Sequence, residues 1–251
     1  MKDQGMFDIE VKIAENKKEI QQALRLRREV FKRELGTAAQ REVVRSPGRD
    51  KYDNNCDHLI VIDKKAGKVV GTYRLMLGSR LDEKIGFYSE RFFDIRNIKR
   101  LTKEAEVLEL GRSCVDRDYR SGPVVNLLWS GIAKYVTDHN VRYLFGCPRI
   151  HALELTAVSK IFKFMKERFY APDEFRVYPK LENRVKGLKK NIPLPSLREI
   201  WHQLPPLVKG YLRLGVLVCG EPAFNPESAV VYICTLLDIQ KIPSAYRQHY
   251  F

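Results

Sequence analysis

Two residues whose types suit acid–base and carboxylate chemistry stand near the middle of the chain. Glu109 and Arg112 lie three residues apart in the run V-L-E-L-G-R-S-C-V. A carboxylate can accept a proton from a reacting group, and a guanidinium can hold a carboxylate through two hydrogen bonds. Strict strand alternation would put the two side chains on opposite faces, but Gly111 permits a bulge that brings them to one side. A purely structural ion pair between them is the competing interpretation.

A basic turn follows this strand directly. Residues 117–122 read R-D-Y-R-S-G, Pro123 comes next, and Val124–His139 has the apolar periodicity of a helix. Free backbone N–H groups and the helix dipole make a helix N-terminus attractive to anions. The order strand, basic turn, helix therefore predicts an anion site beside Glu109 and Arg112.

The first helix must position a further arginine. Residues 17–35 are predicted to form an amphipathic helix with Arg27 in the middle of its apolar face, among Ile20, Ala23, Leu24, Phe31 and Leu35. An arginine on an apolar stripe must either snorkel to water or meet an anion, because burying it without a partner is costly. Both interpretations remain open at this point.

A polar loop and a hairpin come next. Residues 36–55 are predicted to be a long loop of the kind that often covers a substrate, with Asp53 and Asp57 at its end. His58–Asp63 and Val69–Leu77 are predicted to pair as a hairpin. In the second strand Arg74 shares a face with Thr72 and Met76, opposite Tyr73 and Leu75. Arg74 could serve a functional site on that face, or it could be an arginine exposed to water without such a role.

The second half alternates strands and helices without a repeat or a change in composition. Residues 79–102 are predicted to be a short helix or an irregular loop, and residues 180–195 a loop. The other predicted elements are a strand Val141–Cys147, a helix His151–Arg168, a strand Phe175–Tyr178, a short element Pro205–Tyr211, and strands Val216–Cys219 and Ala229–Asp238. We expect one domain over residues 1–251, in which residues 180–251 form an extension that completes the sheet and covers the site.

Composition limits the class of protein. The 251 residues carry a formal charge of +14, which favours nucleic acid, anionic lipid or an acidic protein as a partner. The sequence has no RNP or zinc-finger motif and its basic residues are not gathered in a tail, so we expect no nucleic acid. Five cysteines without C-x-x-C spacing, and no zinc-ligand or P-loop pattern, predict no metal site.

The cellular location is also an expectation. No stretch reaches the roughly 20 apolar residues of a membrane span, and no secretory apolar region follows the polar start. We expect a reduced, cytoplasmic protein, with peripheral contact to an anionic membrane surface as a further option.

The order helix, loop, hairpin, strand, basic turn, helix, strand, helix resembles the GCN5-related N-acyltransferase (GNAT) superfamily. The resemblance implies an α/β (α+β) fold with a mixed, twisted sheet, splayed central parallel strands and flanking helices. The gap between those strands would admit the pantetheine arm of an acyl donor. The turn here departs from the usual Gln/Arg-x-x-Gly-x-Gly/Ala pattern, because it has a single glycine followed by Pro123. That departure argues against acetyl-CoA as donor.

One branch of the superfamily is more similar. It holds the acyl-homoserine-lactone synthases, the N-acyl amino acid synthases and the ornithine-lipid N-acyltransferases. Its pattern is matched here by Arg27, Phe31, Asp53, Asp57, Arg74, Glu109 and Arg112. The tryptophan of the lactone synthases is missing, since Thr37 stands nearby. The run 204–224, L-P-P-L-V-K-G-Y-L-R-L-G-V-L-V-C-G-E-P-A-F, resembles the ornithine N-acyltransferases most specifically.

The resemblance implies a role for each residue. Glu109 and Arg112 would be catalytic, and the amino acid would be bound by Arg27, Phe31, Asp53, Asp57 and Arg74. The donor phosphate would be bound by Arg117, Arg120, Ser121, Gly122, Val124 and Val125. The donor would be the acyl-phosphopantetheine of an acyl-carrier protein, or acyl-CoA, with no permanent cofactor.

The implied activity is transfer of a long-chain, 3-hydroxylated acyl group to the α-amine of an amino acid, foremost ornithine. Glycine or another small amino acid is the alternative acceptor. A non-catalytic basic module that binds nucleic acid or a lipid surface is the alternative class.

Overall fold

The computed structural model describes residues 8–34, 49–121, 123–150, 154–244 and 247. Leu35, most of the predicted cover loop (residues 36–48), Gly122 and residues 151–153 of the predicted helix lie outside the described residues.

Twelve strands are found in the described part of the chain. In chain order they are β1 (Ile9–Ile13), β2 (Asp57–Asp63), β3 (Lys68–Leu77), β4 (Phe93–Asp94), β5 (Glu106–Val115), β6 (Val141–Gly146), β7 (Arg149–Ile150), β8 (Tyr178–Pro179), β9 (Leu217–Val218), β10 (Ala223–Asn225), β11 (Val230–Tyr232) and β12 (Thr235–Asp238). Seven of them form the main sheet in the order β1-β2-β3-β5-β6-β12-β9. Its central pair, β5 and β6, is parallel, and the other neighbours are antiparallel.

The described helices are α1 (Lys17–Glu34), α2 (Arg96–Leu101), α3 (Val124–Asp138), α4 (Leu155–Phe169), α5 (Leu197–Trp201) and α6 (Pro206–Arg213). The strands β10, β11 and β7 form a second, three-stranded sheet, and β4 pairs with β8. None of the helices in these ranges has the length and apolarity needed to cross a membrane.

The two faces of the main sheet are covered by different helices. On one face Ala23, Leu26 and Val30 of α1 pack on Ile60 of β2. On the other face α3 packs on Leu59 and Val61, the residues directly before and after Ile60 in β2. The period-2 alternation of the strand thus puts α1 and α3 on opposite sides.

The parallel pairing between β5 and β6 stops early. It runs from Glu106 and Val141 to Glu109 and Phe145, and residues 110–115 of β5 keep only β3 as a strand partner among the described residues. At the point of divergence a Cβ on Gly146 would lie 2.5 Å from the Leu110 carbonyl oxygen. Glycine at position 146 therefore allows the two backbones to approach closely before they part.

The sequence-based fold prediction is confirmed: the chain has a mixed α/β sheet with splayed central parallel strands and flanking helices. The first helix, the hairpin, the central strand and the helix after the basic turn fall within a few residues of their predicted bounds. The strand bulge that Gly111 was noted to permit is present, because the β3–β5 register shifts between Thr72 and Arg74.

Three predictions need correction. The segment 175–178 is not one strand, because the Phe175 N–H donates to the Pro172 carbonyl in a 3-10 turn, and the strand here is only Tyr178–Pro179. The segment 229–238 is divided between the small sheet (β11) and the main sheet (β12). Strand β1 was assigned to the polar start, although Ile9, Val11 and Ile13 alternate along it.

The close approach at the divergence point can be tested through stability. We expect Gly146→Ala to lower the free energy of unfolding by about 1–3 kcal/mol, because a methyl group would press on backbone rather than on a movable side chain. Urea unfolding of both proteins measures the difference. Gly210→Ala is the control, since nothing lies within 4 Å of its new Cβ, and equal stability of the two variants would contradict the close approach.

Candidate active site

A cavity of about 610 Å³ opens where β5 and β6 part. Leu110 and Gly111 line it from β5, and Gly146 and Cys147 from the end of β6. Its walls include residues of α1 on one face of the sheet and of α3 and α6 on the other. The cavity therefore passes through the sheet and joins two environments.

Arginines and aspartates form an ion cluster on the α1 side. Arg27 binds both oxygens of Asp53, at 2.7 and 3.3 Å. Arg74 donates to Asp50 at 2.6 Å and to Asp53 at 3.2 Å, and Arg112 donates to the second oxygen of Asp50 at 2.7 Å. Three guanidinium groups thus share two carboxylates, which leaves one positive charge in excess.

The two aspartates are held in the charged form. Burial alone would raise the pKa of Asp53, but Arg27 and then Arg74 keep it below its ordinary value. Burial likewise opposes ionisation of Asp50, and Arg74 and Arg112 hold its pKa well below the usual range. Both carboxylates are consequently ionised at neutral pH.

The β-bulge aims Arg112 at this cluster. Gly111 and Cys114 of β5 face Arg74 and Thr72 of β3, so β5 contains one extra residue between them. Arg112 has a φ of 54°, a left-handed conformation that is uncommon for a non-glycine residue and costs of order 1–3 kcal/mol. The Arg112 guanidinium lies 4.8 Å from the centre of the Tyr88 ring and 5.9 Å from that of Phe31.

Glu109 does not pair with Arg112. Its carboxylate accepts the backbone N–H groups of Tyr88 and Ser89, each at 2.7 Å, and the Ser89 hydroxyl at 2.6 Å. Burial raises the pKa of Glu109, and the Ser89 bonds act against that rise. Among the described residues the cavity lining includes its neighbours Tyr88 and Leu110 but not Glu109 itself.

The opposite end of the cavity is a largely apolar chamber. Trp129 of α3 meets Tyr211 of α6 edge to face, with ring centres 5.7 Å apart. Further lining is apolar and comes from Val125, Leu128, Leu207, Val208, Val216 and Leu237. Within this chamber the Tyr73 and Tyr211 hydroxyls are 3.2 Å apart.

The basic turn contributes unequally to the cavity. Arg120 and Val125 line it, whereas Arg117 and Ser121 are exposed outside its lining. Val124 is fully buried against the sheet, so only its backbone could serve a ligand. Gly122 lies outside the described residues.

The structure brings together most of the predicted acceptor residues. Arg27, Phe31 and Arg112 line the cavity, and Arg74 and Asp53 form a buried layer behind them. Asp57 is elsewhere, where it accepts hydrogen bonds from Arg80 at 2.8 Å and the Tyr135 hydroxyl at 2.6 Å. Asp50, which bridges Arg74 and Arg112 and does line the cavity, was missed by sequence reasoning. In the sequence, Asp50 could have been recognised as a second acidic residue three positions before Asp53.

Comparisons with known proteins agree with this geometry. The acetyltransferase (GNAT) domain model matches residues 26–130. Over 250 residues the chain is 33% identical to the L-ornithine N(alpha)-acyltransferase of Brucella abortus (strain 2308), covering 96% of this chain and 88% of that protein. The enzyme of the same name from Agrobacterium fabrum (strain C58) is 30% identical, covering 98% and 88%.

A solved structure has the same fold. FeeM, an N-acyl amino acid synthase from uncultured soil microbes, aligns with a TM-score of 0.51 at 10% sequence identity, over 93% of this chain and 92% of that one.

The class of protein follows from these findings. The chain is an N-acyltransferase with the GNAT fold, so the alternative of a non-catalytic basic module is wrong. Within that class the chain belongs to the family of the L-ornithine N(alpha)-acyltransferases, to which it is similar over nearly its whole length.

The ion cluster makes stability depend on pH. We expect Asp53→Asn to lower the free energy of unfolding at pH 7 by about 3–5 kcal/mol, because Arg27 would lose its buried counter-charge. The folded pKa of Asp53 is below its ordinary value of about 3.9, so its contribution is full above that value and is lost as pH falls through the folded pKa. The gap between variant and wild type should therefore narrow below about pH 4.

Urea unfolding from pH 7 to pH 3 measures this gap. Asp138→Asn is the matched control, because Asp138 pairs with Lys134 on an exposed helix surface, where such pairs contribute about 0.5 kcal/mol. Equal small losses in both variants would contradict a buried, ionised Asp53.

Proposed function

We propose that this enzyme transfers a long-chain, 3-hydroxylated acyl group from an acyl-carrier protein to the α-amine of L-ornithine, and so forms a lyso-lipid. The observation that carries the proposal is a continuous cavity that joins an ion cluster to an apolar chamber across the splayed strands. The names of the relatives support ornithine as the acceptor. Glycine or another small amino acid is the second candidate, since Asp50 and Arg112 would serve the α-groups of any amino acid.

The acceptor binds at the cavity side of the ion cluster. Arg112 offers a guanidinium for the substrate carboxylate, and Asp50 offers a carboxylate for an ammonium group. Arg27, Arg74 and Asp53 hold these two side chains in position through the bonds described above. Asp57 has no part in this arrangement, because Arg80 and Tyr135 occupy its carboxylate.

Glu109 is a positioning residue in this proposal rather than the base. Its two oxygens are already used by three donors, and it fixes Tyr88, whose ring lies against Arg74 and Arg112. The ammonium of the acceptor would lose its proton to water in the cavity. The oxyanion that forms on the thioester would be stabilised by backbone N–H groups on the unpaired edge of β5 beyond Glu109.

The donor enters between the splayed strands as an acyl-phosphopantetheine, and no permanent cofactor is involved. Its phosphate lies at the turn of residues 117–125, near Arg120 and the N-terminus of α3. The charge of +14 suits an acidic carrier protein, and acyl-CoA would be a weaker donor. The chamber under α3 and α6 takes the acyl chain, where the paired Tyr73 and Tyr211 hydroxyls offer hydrogen bonds to a hydroxyl group on it.

We also propose that residues 1–251 act as one domain, whose segment 180–251 is an extension over the site. Strands β9 and β12 extend the main sheet, and α6 covers the acyl chamber.

An anionic membrane surface is a further partner, since Tyr178, Leu181, Leu194 and Leu197 are exposed. Basic side chains at Lys180, Lys186, Lys189 and Arg198 are exposed in the same segment, and this combination favours an anionic bilayer.

The function is tested by giving the purified enzyme ornithine or glycine together with a matched 3-hydroxyacyl carrier or 3-hydroxyacyl-CoA. Mass spectrometry should find N-acylornithine, formed faster from the carrier than from the CoA thioester at low salt, with the advantage shrinking as salt rises. Arg117→Glu should raise KM for the carrier, and Arg96→Glu on α2 is the control of equal charge, because Arg96 is exposed before the start of β5 whereas the turn follows its end. Faster turnover of acetyl-CoA would refute the long-chain acyl donor. Faster turnover of glycine would refute ornithine as the acceptor.

The role of Glu109 predicts a specific pH profile. Glu109→Gln would leave a buried N–H group facing the donors of Tyr88 and Ser89, so we expect a loss of about 1–3 kcal/mol in stability. Its kcat should fall by a similar factor at every pH, because the variant displaces Tyr88 and Arg112. If Glu109 were the base, the loss would instead shrink as pH rises and the amine deprotonates by itself.

A further inference from the structure

Two arginines converge on one carboxylate at the mouth of the cavity. Arg120, in the turn after β5, bonds to Oε1 of Glu34. Arg149, in β7 just after β6, lies 3.7 Å from Oε2 of the same carboxylate. The three residues all line the cavity, and we refer to them as the clamp.

The clamp spans the two strands that part. Arg120 follows β5 and Arg149 follows β6, so the Glu34 carboxylate joins the ends of the two strands beside the cavity. Glu34 is the last residue of α1 and reaches across from a third element. Its two oxygens occupy one arginine each, as two oxygens of a phosphate would.

Arg149 is held in this position from a second side. Its guanidinium lies 5.5 Å from the centre of the Phe31 ring, one turn before Glu34 on the same helix. Its side chain is 23% exposed, so it is partly shielded from water and still open to the cavity. A half-shielded arginine beside an aromatic face keeps its geometry when its counter-ion changes.

We infer that Arg149 and Arg120 are the two ligands of the donor's phosphate, and that Glu34 is a resident anion which the phosphate displaces. The inference rests on the proposed function and deepens it by identifying the second phosphate ligand and its competitor. The ligand class is a phosphate ester, whether it belongs to a carrier-bound phosphopantetheine or to a CoA thioester.

The sign of one substitution separates this idea from a structural brace. In the free enzyme the single negative charge of Glu34 offsets one of the two positive charges, so the phosphate must displace this carboxylate in order to bind. Removing the Glu34 charge should therefore tighten donor binding, whereas removing a brace should loosen it. Displacement would also release the end of α1 from β7 and from the turn after β5.

The experiment compares Glu34→Gln, Arg149→Gln and wild type with two probes. We expect Glu34→Gln to lower KM for the acyl donor and Kd for inorganic phosphate about three-fold to ten-fold, with unchanged KM for the amino acid. Arg149→Gln should raise KM for the acyl donor and Kd for phosphate by a similar factor, and Arg149→Lys should recover part of the lost affinity. Calorimetry or competition with a fluorescent CoA analogue gives Kd without turnover.

The matched control is Glu29→Gln on the same helix. Glu29 pairs with exposed Arg25, so this variant removes the same charge from α1 without touching the clamp, and its donor constants should stay within two-fold of wild type. Weaker or unchanged phosphate binding by a folded Glu34→Gln protein would overturn the inference. Should that variant fail to fold, unchanged phosphate binding by Arg149→Gln would overturn it equally. Because phosphate binding needs no acceptor, the result is independent of whether ornithine is the substrate.

Discussion

The parting of β5 from β6 is the constraint on which the rest of the site depends. Two parallel strands that stay paired would fill the centre of the sheet and leave no passage between its faces. Here the pairing ends at Glu109 and Phe145, immediately beside the close contact that glycine at 146 allows. The bulge at Arg112 then turns the β5 backbone away while β3 still holds its other edge. One irregularity thus opens the cavity, exposes backbone N–H groups and directs an arginine into the opening.

The buried charges follow from that opening. Three arginines and two aspartates at a partly closed site are costly to desolvate, and a buried ion pair is weak evidence for stability as such. The arrangement suits the zwitterionic acceptor of the proposed reaction. The net charge of +1 favours a carboxylate, and Asp50, bonded to two arginines, keeps one carboxylate at the cavity wall for an ammonium. The inner pair of Arg27 and Asp53 fixes that wall and leaves the outer groups to bind.

Sequence reasoning found the arginines but not all of their partners. Arg27 on an apolar stripe and Arg74 on a fixed strand face could be placed, because local periodicity determines which way they point. Whether they meet anions or reach water stayed open. Which anions they meet is set by tertiary contacts: Asp50 and Asp53 come from a loop whose path has no periodicity, so Asp57 was chosen in place of Asp50. Glu109 was predicted to accept a proton, with an ion pair to Arg112 as the alternative, whereas its hydrogen-bond partners, Tyr88 and Ser89, come from an irregular segment some twenty residues away. Nothing in the sequence indicated a role for Arg149, because its contact with Glu34 depends on where β6 ends relative to α1.

In the proposed reaction two anionic groups, the acceptor's carboxylate and the donor's phosphate, bind in one cavity at different arginines. Phe31 separates their cationic partners, since its ring lies 5.9 Å from the Arg112 guanidinium and 5.5 Å from that of Arg149. The ring attracts both cations, so it helps to hold each guanidinium beside its own counter-ion. An aromatic residue four positions after Arg27 thus suits the electrostatics of the proposed two-substrate site. A smaller apolar side chain there would keep the helix but allow Glu34 and Asp50 to compete for the same arginines.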